Sequence, residues 1–171
     1  MPMMRWLRPE ALLLTAVTGF DDRNMVNQCL LYRYIISYEP YNFKGRLPDM
    51  PLTVAYGQKK DALHTELREW LWDHEFRGTK GAVVTDLASG RAHAPFSVFA
   101  SREDGSLAVV VANYSYEPVF VSVAPEAPGA RDGGTRIFDR YRFVEGSGWE
   151  DRGDQVPLPP RSAAVVVSLH A

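Results

Sequence analysis

The sequence predicts an α+β fold in which a partial parallel β/α segment is followed by an antiparallel β-sandwich. Residues 11–38 show strand, helix and strand patterns in that order, as in a βαβ unit. A long amphipathic helix pattern then begins near Pro51. From Ala82 onward, short apolar runs alternate with glycine-containing turns, which is typical of antiparallel sheets. We therefore divide the chain into residues 1–80 and 81–171.

Composition limits the classes of function. The 171 residues are 46% hydrophobic and 23% charged, as in ordinary globular domains. The 19 basic and 21 acidic residues leave a net charge of −2, so neither a nucleic acid nor a membrane surface is an expected partner. No apolar run approaches the roughly 20 residues that span a bilayer. The run Ala11–Val17 is too short for a signal peptide, so the default expectation is a cytoplasmic protein.

Neither a metal nor a cofactor is expected. The four histidines are scattered, and no group of histidines and carboxylates has the spacing of metal ligands. The single cysteine, Cys29, cannot form an internal disulfide and lies in an apolar run, so we expect it to be buried.

The N-terminal segment contains two predicted strands around a helix. Ala11–Val17 is the first strand, Asp21 or Asp22 caps the helix, and Tyr34–Tyr38 is the second strand. Two parallel strands with uncovered edges expose apolar surface and unpaired backbone groups. We therefore expect this segment to be completed by sequence absent from this chain, packed tightly on the sandwich, or paired with a second copy.

The long helix is expected to begin near Pro51, and Arg77–Gly81 is expected to end the helical region. Its apolar stripe consists of Leu52, Ala55, Tyr56, Lys59, Leu63, Leu67, Trp70 and Leu71, and its polar side includes Lys60, Asp61, Glu66, Arg68 and Glu69. Gly57 weakens such a helix by about 1 kcal/mol relative to alanine, a loss that packing can offset.

The stretch from Ser106 to Ala124 is the expected centre of the sandwich. Leu107–Ala112 is apolar on both faces, so this strand is predicted to be covered on two sides. We expect it to form a hairpin with Val119–Ala124, joined at Tyr114–Pro118. The other predicted strands are Ala82–Thr85, Phe96–Ser101, Arg136–Val144 and Ala163–Leu169, with turns that include Pro128–Gly129 and Asp132–Gly134.

Two stretches, Tyr32–Gly45 and Ser97–Val123, resemble the C-terminal end of barrel glycoside hydrolases. Ser97–Val123 is similar to the sandwich of α-amylase-like enzymes, with an Asp-Gly turn, a hydrophobic strand that ends in Asn-Tyr-Ser, and a valine-rich return strand. Tyr32–Gly45, together with the helix through Trp72, resembles the last barrel strand and closing helix of bacterial glycosidase-like proteins. The resemblance implies the C-terminal part of such a hydrolase, inactive alone, because a (β/α)8 barrel takes roughly 250 residues.

The resemblance also implies a carbohydrate substrate and a set of site residues. Glu39 follows the strand Tyr34–Tyr38 at its C-terminal end, where barrel enzymes carry their chemistry. Glu39 and Asp22 are the candidate catalytic carboxylates, since glycoside hydrolysis generally uses two. The candidate substrate-binding residues are Tyr38, Tyr41 and Lys44.

Other interpretations stay open from the residues alone. The alternative for Glu39 is a loop carboxylate that pairs with Arg33, Lys44 or Arg46, and the alternative for Asp22 is a helix cap. The alternative function is a non-catalytic carbohydrate- or protein-binding sandwich module. For that module, Trp149 is the tryptophan expected at the surface, whereas Trp70 is expected in the core.

Overall fold

The structure, a computed structural model, describes residues 3–126, 137–151 and 155–169. The predicted turns Pro128–Gly129 and Asp132–Gly134 lie outside these residues. The described helices are α1 (Met3–Leu7), α2 (Arg23–Leu31), α3 (Pro51–Glu66) and α4 (Arg68–Leu71), with a 3-10 turn at Leu47–Asp49. The strands are β1 (Leu13–Val17), β2 (Tyr34–Tyr38), β3 (Glu75–Gly78), β4 (Ala82–Asp86), β5 (Phe96–Ala100), β6 (Leu107–Ala112), β7 (Val119–Pro125), β8 (Ile137–Phe143), β9 (Glu150–Asp151), β10 (Val156–Leu158) and β11 (Ala163–Leu169).

These elements form four layers. Strands β1 and β2 make a two-stranded parallel sheet, and α2, α3 and α4 lie between it and a six-stranded sheet of order β3-β5-β6-β11-β8-β9. A three-stranded sheet of order β10-β7-β4 covers the other side of the six-stranded sheet. Both larger sheets are antiparallel. The predicted α+β class is confirmed.

The predicted strand–helix–strand unit is also confirmed. Strands β1 and β2 pair in parallel, with Leu13 opposite Tyr34 and Val17 opposite Tyr38. Helix α2 joins them and packs against both. Because side chains alternate along a strand, each strand has one face toward the helices and one face away from them.

Strands β6 and β11 form the centre of the fold. Every residue of β6 is buried, and Val110 and Val165 contribute to the core between the six-stranded sheet and the helices. Val109 and Val166 contribute to the second core, between the two antiparallel sheets. The prediction that Leu107–Ala112 is covered on both sides is therefore confirmed.

The predicted hairpin between the strands at 107–112 and 119–124 is wrong. Strand β6 pairs with β5 and β11, whereas β7 pairs with β4 and β10 in the other sheet. With both edges of β6 occupied, the chain after it crosses from one sheet to the other. Asn113 holds this crossing, because its side-chain amide donates to the carbonyl oxygens of Glu117 at 2.7 Å and Leu158 at 3.1 Å.

The first strand of the six-stranded sheet lies earlier in the chain than expected. Glu75–Gly78 pairs with β5 as an edge strand, although Arg77–Gly81 was expected to end the helical region. Its partly polar sequence shows no apolar run. The short strand β10 also contains a proline, which suits its position at the edge of the three-stranded sheet.

The predicted long helix is interrupted, and the prediction of its polar side is partly wrong. The backbone leaves helical geometry at Leu67, so α3 and α4 are separate. Tyr56, Leu63 and Trp70 are buried as predicted, but Leu52 is 42% exposed. Lys60 is buried because its ammonium group donates to the carbonyl oxygen of Tyr34 at 3.1 Å. The ammonium group also pairs with Oδ1 of Asp61 at 3.1 Å, and the two contacts together offset the cost that makes a buried lysine unexpected.

Gly57 is needed for the contact between α3 and β2. A Cβ atom at this position would overlap the hydroxyl oxygen of Tyr38. Replacing a helical glycine by alanine ordinarily stabilises by about 1 kcal/mol. Here we expect Gly57→Ala to lower the free energy of unfolding by about 1–3 kcal/mol in urea denaturation, because the overlap forces overpacking.

The double variant is the matched control for Gly57. Tyr38→Phe removes the overlapping oxygen, which is buried and lacks a hydrogen-bond partner among the described residues. We therefore expect Tyr38→Phe to restore most of the stability lost in Gly57→Ala. A Gly57→Ala protein more stable than the wild type would contradict this packing.

His64 is expected to make stability depend on pH. It is buried on α3 and stacks on Trp72 with ring centroids 4.9 Å apart. Burial, together with the charges of Lys60 and Arg33, lowers the pKa of His64 from 6.5 to about 3. As the pH falls, His64 therefore binds a proton near pH 6.5 in the unfolded chain but only near pH 3 in the folded chain. Stability is complete above pH 6.5 and is lost progressively as the pH falls toward 3.

Urea denaturation of wild type and His64→Phe at pH 7 and pH 4.5 tests this dependence. The phenylalanine keeps a flat ring against Trp72 but cannot titrate. We expect the wild type to lose about 2–3 kcal/mol more than the variant between the two pH values. Equal losses in both proteins would show that His64 does not cause the acid sensitivity.

Candidate functional site

The candidate site lies at the C-terminal end of the β1–β2 sheet. Backbone pairing continues past the two strands, because the N–H of Glu39 donates to the carbonyl of Val17 at 3.1 Å. The N–H of Tyr41 likewise donates to the carbonyl of Thr18 at 3.1 Å. The segments that follow β1 and β2 are thus held side by side, as the parallel order predicts.

One face of this sheet is open. Leu14 and Ile35 lie opposite each other on it and are 67% and 36% exposed, and Leu12 next to β1 is 68% exposed. The other face, with Val17 and Ile36, belongs to the core that α2 and α3 complete. The open face is therefore an apolar surface in contact with solvent.

Glu39 comes directly after β2 and is on the same side of the strand as the open face. Ile35, Ser37 and Glu39 alternate with residues directed toward the helices. The hydroxyl of Ser37 donates to Oε1 of Glu39 at 2.8 Å. None of the described basic side chains forms an ion pair with Glu39. The carboxylate is thus half-buried and anchored by one neutral partner.

The basic residues considered as partners of Glu39 have other positions. Arg33 is buried and donates to the carbonyl oxygens of Trp72 and Pro9. Arg46 pairs with Asp49 at 3.6 Å, and Lys44 is exposed to solvent. The interpretation of Glu39 as one half of a loop ion pair therefore has no support among the described residues.

Tyr38 lies on the opposite face of the sheet from Glu39. Its ring packs against Gly57 of α3, and burial raises its pKa to about 12. The structure therefore separates this predicted substrate-binding residue from the open face. The Tyr38 side chain packs between β2 and α3.

Asp22 is engaged in the turn that follows β1. Its Oδ2 accepts hydrogen bonds from the N–H groups of Thr18 at 3.3 Å and Gly19 at 3.4 Å. It occupies the N-cap position of α2, but its side chain forms no bond to the helix. The backbone N–H of Asp22 donates to Thr53 at 2.7 Å, which fixes the turn to α3. Asp22 and Glu39 thus share one end of the sheet, with different partners.

Tyr41 begins an unusual turn. Tyr41, Asn42 and Phe43 have φ angles of 49°, 56° and 67°, in the left-handed region that residues other than glycine rarely adopt. The Tyr41 hydroxyl donates to the carbonyl of Asp49 at 3.2 Å. No glycine lies within these three positions, so turn composition alone does not reveal the geometry.

Two clefts in the described part of the chain do not border Glu39. One shallow cleft lies between α3 and the segment 142–146, and another lies between α1 and β3. Among the described residues, no group of three or more His, Cys, Asp or Glu side chains is arranged to hold a metal ion. Within the same residues, no helix has both the length and the apolar character of a membrane span.

The tryptophans lie largely in or against the core. Trp70 is 9% exposed, as predicted, and Cys29 is fully buried. Trp149 is partly buried, with the guanidinium of Arg140 4.8 Å from its ring centroid, so it is not the open ring that was expected. The exposed aromatic rings of the sandwich are instead Tyr116 at 77% and Phe120 at 46%.

Comparison with known proteins gives no family. Neither a scan against protein-family models nor a search of curated proteins finds a match. The resemblance to barrel glycoside hydrolases therefore rests on the sequence of residues 32–45 and 97–123.

The roles of Asp22 and Glu39 can be distinguished by measuring the stability of a variant at each position. We expect Asp22→Ala to lower the free energy of unfolding by about 1 kcal/mol, because it frees two N–H groups of the β1 turn. Glu39→Gln keeps an acceptor for Ser37 and should stay within about 0.5 kcal/mol of wild type. Urea denaturation of the two variants provides the comparison, and an Asp22→Ala protein as stable as wild type would contradict the turn role.

Proposed function

We propose that this chain is the C-terminal part of a carbohydrate-active hydrolase whose catalytic barrel is completed by further parallel strands. The observation that carries the proposal is the one-sided cover of the β1–β2 sheet. In a (β/α)8 barrel, each strand has one face toward the helices and one toward a side-chain-filled interior, where branched apolar residues dominate. Leu14 and Ile35 on the open face suit such an interior.

The position of Glu39 supports the same proposal. Barrel enzymes carry their reacting groups at the C-terminal ends of the strands. Glu39 lies at that end of β2, follows the open face, and has only Ser37 as a described side-chain partner. A carboxylate there would accept hydrogen bonds from substrate hydroxyl groups in the completed cleft. Asp22 remains a weaker candidate for the second carboxylate, because its oxygen already serves the β1 turn.

A second candidate function is a non-catalytic carbohydrate- or protein-binding sandwich. The observation that favours it is the exposure of Tyr116 and Phe120, two large aromatic rings on the sandwich. Exposed aromatic side chains are frequent in binding surfaces. This function would need no further strands and no Glu39.

The test begins with the polypeptide isolated from its native cells and detected through its C-terminal strands. We expect an intact mass well above 19.2 kDa, because the proposed barrel requires strands beyond β1 and β2. Hydrolysis of a panel of neutral oligosaccharides by that polypeptide is then measured. Glu39→Gln should lower kcat/KM at least tenfold, because the amide cannot accept hydroxyl hydrogen bonds as strongly as a carboxylate.

Glu69→Gln is the matched control, since Glu69 lies exposed on α4 and makes no described ion pair. It should leave hydrolysis unchanged. A native mass near 19.2 kDa would overturn the barrel proposal and favour the binding module. Hydrolysis that is unaffected by Glu39→Gln would remove Glu39 from the cleft.

A further inference from the structure

The turn that follows β2 combines backbone strain with exposed aromatic surface. Tyr41, Asn42 and Phe43 are three consecutive residues other than glycine in the left-handed region. L-residues visit that region as single positions, because Cβ crowds the following carbonyl oxygen. Such strain persists only where the surrounding structure imposes it, and it is concentrated at ligand-binding and active sites.

The contacts of the turn show what imposes this conformation. The N–H of Gly45 donates to the carbonyl of Pro40 at 3.0 Å, which closes the turn. The Tyr41 ring packs over Gly45, where a Cβ atom would lie 2.6 Å from Cδ2 of the ring. Its hydroxyl donates to Asp49, and its N–H donates to Thr18 in the neighbouring segment. Tyr41 is therefore held in one orientation by both its ring and its backbone.

The same turn presents its aromatic rings to solvent. Phe43 is 78% exposed and Tyr41 is 46% exposed, although water is an unfavourable environment for a phenyl ring. Both residues follow Glu39 within four positions. The N–H of Asn42 donates to the carbonyl of Glu39 at 3.1 Å, so the turn and the side chains of Glu39 and Ser37 lie at the same end of the sheet.

This combination matches the chemistry of a neutral sugar. A pyranose ring has an apolar C–H face, which contacts an aromatic ring, and hydroxyl groups at its rim, which bond to carboxylate and hydroxyl oxygens. A phosphate or carboxylate ligand fits less well, because Glu39 has no described cation to offset its charge.

We propose that the turn Tyr41–Phe43 is an aromatic platform that stacks against a pyranose ring while Glu39 bonds to its hydroxyl groups. This assignment rests on the proposed function, since it places the sugar at the same end of the β1–β2 sheet. Phe43 provides the contact surface, and Tyr41 fixes the position of the turn.

The test is a two-dimensional 15N NMR titration of the full 171-residue chain with maltohexaose, cellohexaose and xylohexaose at millimolar concentrations. We expect at least one probe to shift the amide signals of residues 39–45. Phe43→Ala should weaken that binding at least about tenfold, the effect expected for loss of one aromatic stacking contact. The side chain of Phe43 is mostly in solvent, so the variant should keep the wild-type spectrum elsewhere.

Leu87→Ala is the control, because Leu87 is also an exposed apolar side chain, 45% exposed, but follows β4 of the sandwich. It should bind as the wild type does. The proposal is overturned if none of the three probes shifts residues 39–45, or if Phe43→Ala binds as strongly as the wild type. The barrel proposal fails separately, through a native mass near 19.2 kDa.

Discussion

The fold depends on burial of β6 and β11 on both faces. These two strands are made almost entirely of valine and alanine, so neither face of the pair can meet water without a large loss of hydrophobic free energy. One face is covered by the three-stranded sheet, and the other is covered by α2, α3 and α4. The helices of the N-terminal segment therefore complete the core of the sheet domain. Residues from both sides of position 80 share one core, and strand β3, which precedes that position, is already part of the six-stranded sheet.

Two buried arginines organise the opposite end of the parallel sheet from Glu39. The guanidinium of Arg5 donates to the carbonyl oxygens of Tyr32, Arg33, Pro9 and Ala11, and Arg33 donates to Trp72, His74 and Pro9. Burial lowers the pKa of both groups, but backbone carbonyls satisfy their donors in place of carboxylates. These bonds tie α1, the start of β2 and the end of α4 together. The sheet thus has a structural N-terminal end, while its C-terminal end carries Glu39, Ser37 and the strained turn.

The sequence allowed most strands and the βαβ unit to be predicted, because alternation reports which face of an element is buried. Alternation does not report which strand is the neighbour, and this is why the hairpin between β6 and β7 was predicted wrongly. Lys60 was placed on the polar side because its burial depends on the carbonyl of Tyr34, a partner 26 positions away. At the site, the place of Glu39 after β2 could be read from the strand pattern. The turn at 41–43 could not, because its left-handed conformation is imposed by Thr18, Gly45 and Asp49 and not by its own composition.

The open face of the β1–β2 sheet is compatible with folding of this chain on its own. The helix-facing sides of both strands already belong to a closed core, so exposure of Leu12, Leu14 and Ile35 leaves that core intact. Burying each of these side chains would contribute about 1.5–3 kcal/mol at most. Backbone N–H and C=O groups at the edges of the β1–β2 sheet would pair with an added strand. A parallel strand would continue the existing hydrogen-bond pattern. Under the barrel proposal, folding of the chain and completion of the sheet would therefore be separate events. The second would bring other groups to Glu39 and the aromatic turn, which no described cleft of this chain encloses.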